Sequence, residues 1–342
     1  MARIVVAGAG AIDASVAYHL ALRGARDVLL ADRGEVASGS TGKAMGGIRQ
    51  QFSTAPEVRL ARDSIRFFEE LGPPLFLKVG YLFLATTETG LAELEERMEL
   101  QRSLGVPVER AAVPEGVRGD DVLGAVTCRR DGLADPPAVT RELVHRARDL
   151  GVELREGTDA RELDRDVLVV AAGPWSAELF ELPIRPLARQ LLETEPLELP
   201  EHLPMIIESE TGFHFRRRDD RLRIAMADAE PRWGTDTTVD ESVFEDRLER
   251  LAHRYPAAAG TRIDQAWAGL YDMTPDAHPI VGPVADGIYA ACGFSGHGFM
   301  KSPAVGAALA ELILDGETGY DLSPFALERF ERDPVFPKEV VL

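Results

Sequence analysis

The chain begins with an apolar run that leads straight into a glycine-rich turn, and few folds use that pattern. Apolar residues predict a buried strand at 3–7, helical spacing predicts a helix at 11–23, and a second apolar run predicts a strand at 28–31. The letters GAGAID at the first turn of this βαβ unit nearly match the G-x-G-x-x-G fingerprint of dinucleotide-binding folds. In such folds a helix N-terminus attracts phosphate. Asp32 follows the second strand about 20 residues after the glycines, where its carboxylate can accept hydrogen bonds from an adenosine ribose.

Asp13 replaces the third glycine of that fingerprint. The third glycine normally lets the helix pack close to the strand, whereas the first two admit the phosphates. If the Asp13 carboxylate pointed at the phosphates, at ~4 to 5 Å and an effective dielectric of ~20, repulsion would cost roughly 3 to 4 kcal/mol. If it pointed into solvent, the cost would be mainly steric, and a carboxylate in the first turn would favour the helix dipole. The sequence leaves both orientations open.

Two later apolar strands also run into glycine turns, at 167–173 and 287–293. Ligands of open α/β sheets bind beyond the carboxyl ends of the strands, so the three turns predict one sheet assembled from the start, middle and end of the chain. Alternating segments between 184 and 270 predict a mixed sheet. Further helices are predicted at about 56–71, 90–104, 136–150, 241–254 and 302–314. The predicted fold class is α/β, with a Rossmann-like cofactor-binding domain (1–75, 136–180 and 284–335) and an inserted mixed-sheet α+β substrate domain (76–135 and 181–283).

Charge and composition argue against several classes of function. A formal net charge of −19 disfavours nucleic acid and anionic membranes as partners. Cys128 and Cys292 cannot form a disulfide framework, and no Cys/His cluster has metal-ligand spacing, so no metal is predicted. No apolar run approaches the ~20 residues of a membrane span, and the first residues lack a signal-peptide pattern. We therefore expect a cytoplasmic protein.

Six ordered motifs cover most of the chain. They are ASGSTG (37–42), GGIRQQF (46–52), GYLF (80–83), AAGPW (171–175), WAGLYDMTPD (267–276) and GFSGHGFM (293–300). In this order they resemble the flavin-dependent amino-acid oxidase (DAO) superfamily, which includes D-amino-acid oxidase, glycine oxidase, monomeric sarcosine oxidase and the catalytic subunits of sarcosine oxidase and proline dehydrogenase. The resemblance runs from Ile4 to about Phe330.

The resemblance implies FAD bound in extended form, with its ring at the boundary with the mixed-sheet domain. It implies an enzyme that oxidises the C–N bond of an amino acid or secondary amine (sarcosine-, glycine- or proline-like) by hydride transfer to flavin N5. The cysteine that links flavin covalently in sarcosine oxidase aligns with Gly269, so non-covalent FAD is expected. The implied cofactor-binding residues are Gly8, Gly10, Ile12, Asp32, Arg33, Ser40, Thr41, Gly46, Gly47, Ala172, Gly173, Trp175, Gly293, Gly296, His297, Gly298, Phe299 and Met300.

The resemblance also implies three catalytic residues: Arg49, Tyr271 and His297. Glycine oxidase and D-amino-acid oxidase place an arginine where this chain has Tyr271, whereas sarcosine oxidase takes one from the segment that matches residues 47–49. Arg49 is therefore the expected clamp for a substrate carboxylate. Tyr271 covers the substrate, bonds its carboxylate or is merely a strand aromatic, and His297 either braces its loop or moves protons.

Two further positions depart from the family pattern or stay ambiguous. Sarcosine oxidase has a lysine after its Ser-Gly-His-Gly-Phe motif, and this chain has Met300 there, with Lys301 next. Phe213 and His214 match a place where the family often supplies an aromatic wall, but core packing accounts for them equally well.

Two departures weaken the adenosine half of the expected site. One is Asp13, and the other is the short segment 151–166, where relatives usually insert a small antiparallel excursion. They support an alternative: a degenerate member of the same fold that binds FAD weakly or not at all and acts as a subunit or scaffold. An NAD-dependent enzyme is disfavoured, because one βαβ unit does not account for the motif at 293–300. A partner subunit and a homo-oligomer both stay open.

Overall fold

Two large β-sheets and a small one organise residues 2–330 and 335–336, the part of the chain that the computed structural model describes. The strands are β1 (Ile4–Ala7), β2 (Val28–Ala31), β3 (Gly47–Ile48), β4 (Phe76–Leu77), β5 (Tyr81–Ala85), β6 (Val108–Arg110), β7 (Gly124–Cys128), β8 (Gly132–Ala134), β9 (Glu153–Arg155), β10 (Val167–Val170), β11 (Arg185–Thr194), β12 (Met205–Glu208), β13 (His214–Arg218), β14 (Arg221–Ala225), β15 (Arg232–Trp233), β16 (Ile263–Met273), β17 (Ile280–Ala285) and β18 (Ile288–Cys292). The helices are α1 (Ala11–Leu22), α2 (Ala55–Leu71), α3 (Glu88–Ser103), α4 (Pro136–Asp149), α5 (Phe244–Arg254) and α6 (Gly298–Asp315).

The six-stranded sheet has the order β17-β18-β10-β1-β2-β9, and every pair except β17 with β18 is parallel. The three strands that run into glycine turns are adjacent in it, so the prediction of one sheet assembled from three parts of the chain is confirmed. All four residues of β1 are buried. Val6 packs in the core that includes α1, and Val5 packs in a separate core on the opposite face. Covering on both faces is what a central parallel strand requires.

The nine-stranded sheet has the order β15-β11-β14-β13-β12-β5-β7-β6, with β16 paired antiparallel to β11 along its length. Burial alternates along β14, where Leu222 and Ile224 are fully buried and their neighbours are partly exposed. These two side chains share a core with Leu251 of α5, so α5 covers this face. The opposite face carries Tyr81 and His214 into a large cavity between the two sheets. The predicted mixed α/β class is thus confirmed, whereas the exact domain boundaries stay a prediction.

Helix α6 begins at Gly298, four residues before the predicted start at 302. Pro303 made the earlier start difficult to predict, because a proline removes one backbone N–H from a helix interior. The Ser302 hydroxyl donates to the Phe299 carbonyl at 2.9 Å, which satisfies the acceptor that Pro303 leaves without its helical partner. The helix therefore continues through the proline, and its N-terminus lies at the end of the GFSGHGFM motif.

The connection from β9 to β10 is short, as its sequence predicts. It contains a 3₁₀ turn at Ala160–Glu162 and no strand. β9 therefore remains an edge strand of the six-stranded sheet. Across residues 2–330 and 335–336, none of the helices has the length and apolarity needed to cross a membrane.

Candidate functional site

A cavity of about 790 Å³ lies between the two large sheets, beyond the carboxyl ends of β1, β2 and β10. It brings together residues from all six sequence motifs. The predicted site residues that line it are Gly8, Gly10, Ile12, Asp32, Arg33, Ser40, Thr41, Gly46, Gly47, Arg49, Ala172, Gly173, Trp175, Tyr271, Gly296, His297, Gly298, Phe299 and Met300.

Gly293 is the predicted cofactor residue that does not line the cavity. Its N–H donates to the Asp272 carboxylate at 2.7 Å, and a Cβ at this position would lie 2.4 Å from Thr274 Cγ2. Its φ of +76° is in the region that favours glycine. Gly293 therefore shapes the turn after β18, and the cavity wall begins one residue later at Phe294.

Side chains occupy the backbone donors of the turn that leads into α1 and of the first residue of that helix. The Ala9 N–H donates to Asp32 Oδ2 at 2.7 Å, and the Ala11 N–H donates to Thr41 Oγ1 at 3.1 Å. Between them, the Gly10 N–H donates to Asp13 Oδ2 at 2.5 Å. This last contact is the carboxylate half of a capping box, in which an acidic residue three positions into the helix reaches back to the N-cap.

Asp13 points into the turn and not into solvent. Its side chain is only 3% exposed, and Oδ1 is buried without a hydrogen-bond partner among the described residues. A Cβ on Gly8, whose φ is +119°, would lie 2.7 Å from the Asp13 carboxyl carbon. Burial, and then the nearby Asp32 carboxylate, raise the pKa of Asp13 well above its ordinary value. Of the two orientations that the sequence left open, the structure excludes the one into solvent, because the carboxylate is buried and bonds back to the N-cap of its own helix.

The end of the cavity at which the sequence predicts adenosine is built around Asp32. One carboxylate oxygen accepts from Ala9 N–H, and the other accepts from Gly34 N–H at 2.6 Å. Each oxygen keeps a second lone pair, so the side chain can still accept from ribose hydroxyls. Thr158, Asp159 and Ala160, in the short connection between β9 and β10, close this end.

Hydrogen bonds to β16 hold the loop that precedes β3 against the middle of the cavity. The Ser40 hydroxyl donates to the Leu270 carbonyl at 2.6 Å, and the Trp267 indole N–H donates to the Lys43 carbonyl at 3.1 Å. Both bonds join the loop to β16. At Gly46, which has a φ of +82°, a Cβ would lie 2.3 Å from the Ala134 carbonyl oxygen. A ligand in the cavity therefore meets fixed main chain along this side.

Arg49 lines the cavity at its far end, where the two sheets meet. One Nη donates to the Gln51 carbonyl, and the other lies 3.3 Å from His297 Nε2. The guanidinium also stacks on Phe52, 4.1 Å from the ring centroid. Burial lowers its pKa. No carboxylate within the described ranges forms an ion pair with it, although the charges of Glu57 and Asp131 act on it and partly oppose the effect of burial.

Tyr271 lies on β16, and its side chain lines the cavity. A Cβ on Gly296 would lie 2.4 Å from the Tyr271 ring, so the loop before α6 packs directly against it. Arg189, on the neighbouring strand β11, has its guanidinium 5.9 Å from the ring centroid. Burial raises the pKa of the Tyr271 hydroxyl, although the charges of Arg189 and Arg49 act in the opposite direction. The hydroxyl is therefore protonated at neutral pH.

His297 and His214, which line the cavity together with Arg49, are both neutral at neutral pH. Burial, together with the charges of Arg49 and Lys301, lowers the pKa of His297 well below its ordinary value. Burial lowers the pKa of His214 to about 4. His214 lines the cavity, whereas its neighbour Phe213 is 1% exposed in the core under α5. Of the ambiguous pair, His214 thus faces the site and Phe213 is a packing residue.

Lys301 is turned away from the cavity. Its ammonium is fully buried and lies 2.5 Å from Glu57 Oε1 of α2, while Met300 occupies the cavity wall. Glu57 also lies 3.4 Å from His278 Nδ1. A second cavity of about 250 Å³ adjoins this cluster, and Arg49 and His297 line both cavities.

Sequence reasoning missed Arg189 and Glu57. Arg189 lies in the apolar stretch PLARQLL, where an arginine in an otherwise hydrophobic strand is the one local signal of a special position. Glu57 lies in the first turn of α2, where an acidic residue is ordinary. Only the packing of α2 against α6 brings it to Lys301.

These residues fit an extended dinucleotide along most of its length. The cavity offers a ribose acceptor in Asp32, the N-terminus of α6, and an open end between the sheets. The carboxylate of Asp13 is the group that opposes the fit, because it occupies the Gly10 N–H at the turn where the fingerprint predicts the phosphates. Of the side chains described, no cluster of three or more His, Cys, Asp or Glu residues is suited to a metal ion.

Comparison with known proteins agrees with this geometry. A family model described as FAD dependent oxidoreductase (DAO) matches residues 3–312. The FAD-dependent oxidoreductase domain-containing protein 1 of Bos taurus is 29% identical, over 96% of this chain and 84% of its own length. Sarcosine oxidase subunit beta of an Arthrobacter species is 26% identical, over 96% of this chain and 91% of its own length. The crystal structure of L-proline dehydrogenase from P. horikoshii superposes with a TM-score of 0.90 at 27% identity, covering 97% of this chain and 98% of that one.

Proposed function

The chain belongs to the DAO family of FAD-dependent oxidoreductases, and from this premise we propose that it oxidises the C–N bond of an amino acid or secondary amine that carries a carboxylate. Sarcosine-, glycine- and proline-like compounds are the proposed substrates, and the names of two relatives support this class. FAD, when bound, supplies the acceptor for the hydride that leaves the carbon next to nitrogen. The protein's own residues bind the substrate, orient it and select its protonation state.

The observation that carries the proposal is the guanidinium of Arg49. It lines the cavity, it is desolvated enough for its pKa to be lowered, and no carboxylate of the described chain forms an ion pair with it. A desolvated cation without a carboxylate in direct contact is costly, and a ligand carboxylate relieves that cost by accepting two parallel N–H bonds. Arg49 is therefore the proposed clamp that fixes the substrate's carboxylate and, through it, the reacting carbon.

The charges around the cavity favour a neutral substrate amine. An ammonium group between the guanidiniums of Arg49 and Arg189 would meet like charges, which lower its pKa. His297 is held neutral, so it neither adds to these positive charges nor offsets them. Only a neutral amine has the lone pair that supports hydride departure from the adjacent carbon. The ammonium proton is therefore released to solvent before that step, and the positive charges of Arg49 and Arg189 promote its release.

The N-terminus of α6 is the proposed electrostatic support for the cofactor ring. Gly298, Phe299 and Met300 form the first turn of α6 and line the cavity. The positive end of the helix dipole and its free N–H groups stabilise negative charge that develops on a ring beside them. Tyr271 is proposed to cover the substrate or bond its carboxylate, and His297 is proposed to brace Arg49 through its 3.3 Å contact.

We also propose that FAD is held without a covalent bond. Cys128 and Cys292 are buried, and neither lines the cavity. Gly269 lines it at the position where the family's linking cysteine would lie, and a Cβ there would already be 3.0 Å from Lys43 Cβ. A protein precipitated in acid should release its flavin into the supernatant.

One observation favours a second candidate, a family member that binds FAD weakly and acts as a subunit or scaffold. The Asp13 carboxylate faces the phosphate position and occupies the Gly10 N–H. One relative carries the name of a subunit, sarcosine oxidase subunit beta. Purification of an apoprotein that does not take up added FAD would support this candidate.

Anaerobic titration of the purified holoprotein tests the proposed function. Sarcosine, proline or glycine should bleach the visible absorption band of bound flavin, and the same amines without a carboxylate should bleach it far more slowly. Detection of the carbonyl product after aerobic turnover gives a second readout. A holoprotein that holds FAD but is not reduced by any of a panel of carboxylate-bearing amines would refute the proposal.

A further inference from the structure

The turn between β1 and α1 holds a buried carboxyl group where this fold ordinarily admits phosphates. Asp13 is 3% exposed, lines the large cavity and directs its carboxyl group over Gly8 and Gly10. One oxygen accepts the Gly10 N–H, and the other is buried without a partner among the described residues. An unpartnered buried oxygen is costly unless a ligand or a proton satisfies it.

No nearby charge stabilises a negative charge on Asp13, and only backbone N–H groups, such as that of Gly10, oppose the rise in its pKa. Asp32 follows β2, Asp272 lies on β16 and Cys292 ends β18, and each of these interacts electrostatically with Asp13. The loop before β3 contributes the Thr41 hydroxyl, which already accepts the Ala11 N–H. Arg33 and Lys43 line the same cavity, but within the described ranges no cation forms an ion pair with Asp13. Burial and the Asp32 charge therefore raise the pKa of this carboxyl group.

A bound dinucleotide would add two further negative charges to this environment. An ionised Asp13 would then oppose the pyrophosphate directly, whereas a protonated carboxyl group has a donor to offer it. The Gly10 N–H can stay bonded to the carbonyl oxygen of the acid, which leaves the O–H for a phosphate oxygen. The same side chain is therefore repulsive in one protonation state and attractive in the other.

We propose that Asp13 takes up a proton from solvent when FAD binds and donates it as a hydrogen bond to the pyrophosphate, so that FAD affinity falls as the pH rises. The fingerprint's third glycine carries no titratable group, so this pH dependence belongs to the aspartate. The proposal concerns the cofactor alone and holds whichever amine the enzyme oxidises. It also reconciles the orientation of Asp13 with a cavity that otherwise fits FAD.

Titration of the full-length protein with FAD between pH 5.5 and 8.5, followed by quenching of flavin fluorescence, tests the proposal. Between the pKa values of Asp13 in the free and loaded protein, the Kd of the wild type should rise toward tenfold per pH unit, which is the linkage limit for uptake of one proton. Asp13→Asn keeps a donor and cannot ionise, so its Kd should change by less than about twofold over the same range. Asp13→Gly restores the fingerprint glycine and should be equally insensitive to pH.

Asp27→Asn is the matched control, because it removes a carboxylate from the surface of the same sheet, where Asp27 pairs with Arg3. This variant should keep the wild-type pH dependence. If Asp13→Asn does not fold, the pH dependence of the Kd of Asp13→Gly tests the proposal by itself. Glycine is the residue that this turn accommodates in the fingerprint. A wild-type Kd that is flat with pH, or a slope that survives in both Asp13 variants, would overturn the proposal. The readout is FAD affinity, so failure of amine oxidation would not affect it.

Discussion

Lys301 of α6 and Glu57 of α2 form a buried ion pair, with Nζ and Oε1 2.5 Å apart, directly behind the proposed substrate site. Both residues lie in the first turns of their helices, and the Lys301 ammonium also lies 3.9 Å from the centroid of the Phe52 ring. Phe52 in turn contacts His297 edge to face and stacks under Arg49. The pair therefore fixes the two helices whose ends support the residues proposed to bind substrate.

Lys301→Met should destabilise the protein by about 3 to 5 kcal/mol, because it leaves Glu57 buried with only His278 beside it. Glu57→Leu combined with Lys301→Met should recover most of this loss, since an apolar pair avoids the desolvation of two charges. Denaturant unfolding of the wild type, both single variants and the double variant gives the coupling energy. Additive losses in the double variant would contradict a buried pair.

Acid should weaken this pair through Glu57. Burial opposes its ionisation, but the Lys301 charge and the His278 contact outweigh burial and lower the pKa of Glu57 below its ordinary value of 4.5. The folded state thus releases the Glu57 proton more readily than the unfolded state, so the stabilisation is complete above pH 4.5 and is lost as the pH falls further. The difference in unfolding free energy between wild type and Glu57→Gln should therefore be largest near pH 7 and shrink below pH 4.5. A difference that stays constant down to pH 3 would contradict this assignment.

The sequence predicts the phosphate turn well because its determinants are local. Strand, glycines, helix and Asp32 follow one another within one βαβ unit, so spacing alone brings them together. The neighbouring strands β10 and β18 could be predicted from their own glycine turns. The sequence does not predict the Lys301–Glu57 pair or the position of Arg189. Both depend on which faces of distant elements pack together. The start of α6 was also missed, since the hydroxyl of Ser302 compensates for Pro303 in a way that no propensity scale includes.

Gly296→Ala should damage the site more than its backbone strain alone explains. The φ of Gly296 is +90°, and an alanine Cβ would lie 2.4 Å from the Tyr271 ring. Gly24 is the matched control, because its φ is +94° and an added Cβ would meet no atom within 4 Å. Both alanine variants should lose about 1 to 2 kcal/mol of stability to the left-handed backbone, but only Gly296→Ala should also raise KM by displacing Tyr271. Thermal unfolding and steady-state kinetics of the two variants separate these effects, and equal KM values would contradict the contact.

Arg49→Met should raise the KM for carboxylate-bearing amines by roughly 30- to 150-fold, which corresponds to the loss of about 2 to 3 kcal/mol of charged hydrogen bonds. Flavin content should be unchanged, because Arg49 lies at the end of the cavity opposite the phosphate turn. Arg49→Lys retains the charge but loses the planar fork, so its KM should fall between those of wild type and Arg49→Met. Amines without a carboxylate provide the control substrates, and their kinetics should respond little to either variant. If Arg49 only braced His297, both classes of substrate would lose activity together, and a KM within about twofold of wild type for the carboxylate class would end its assignment as the clamp.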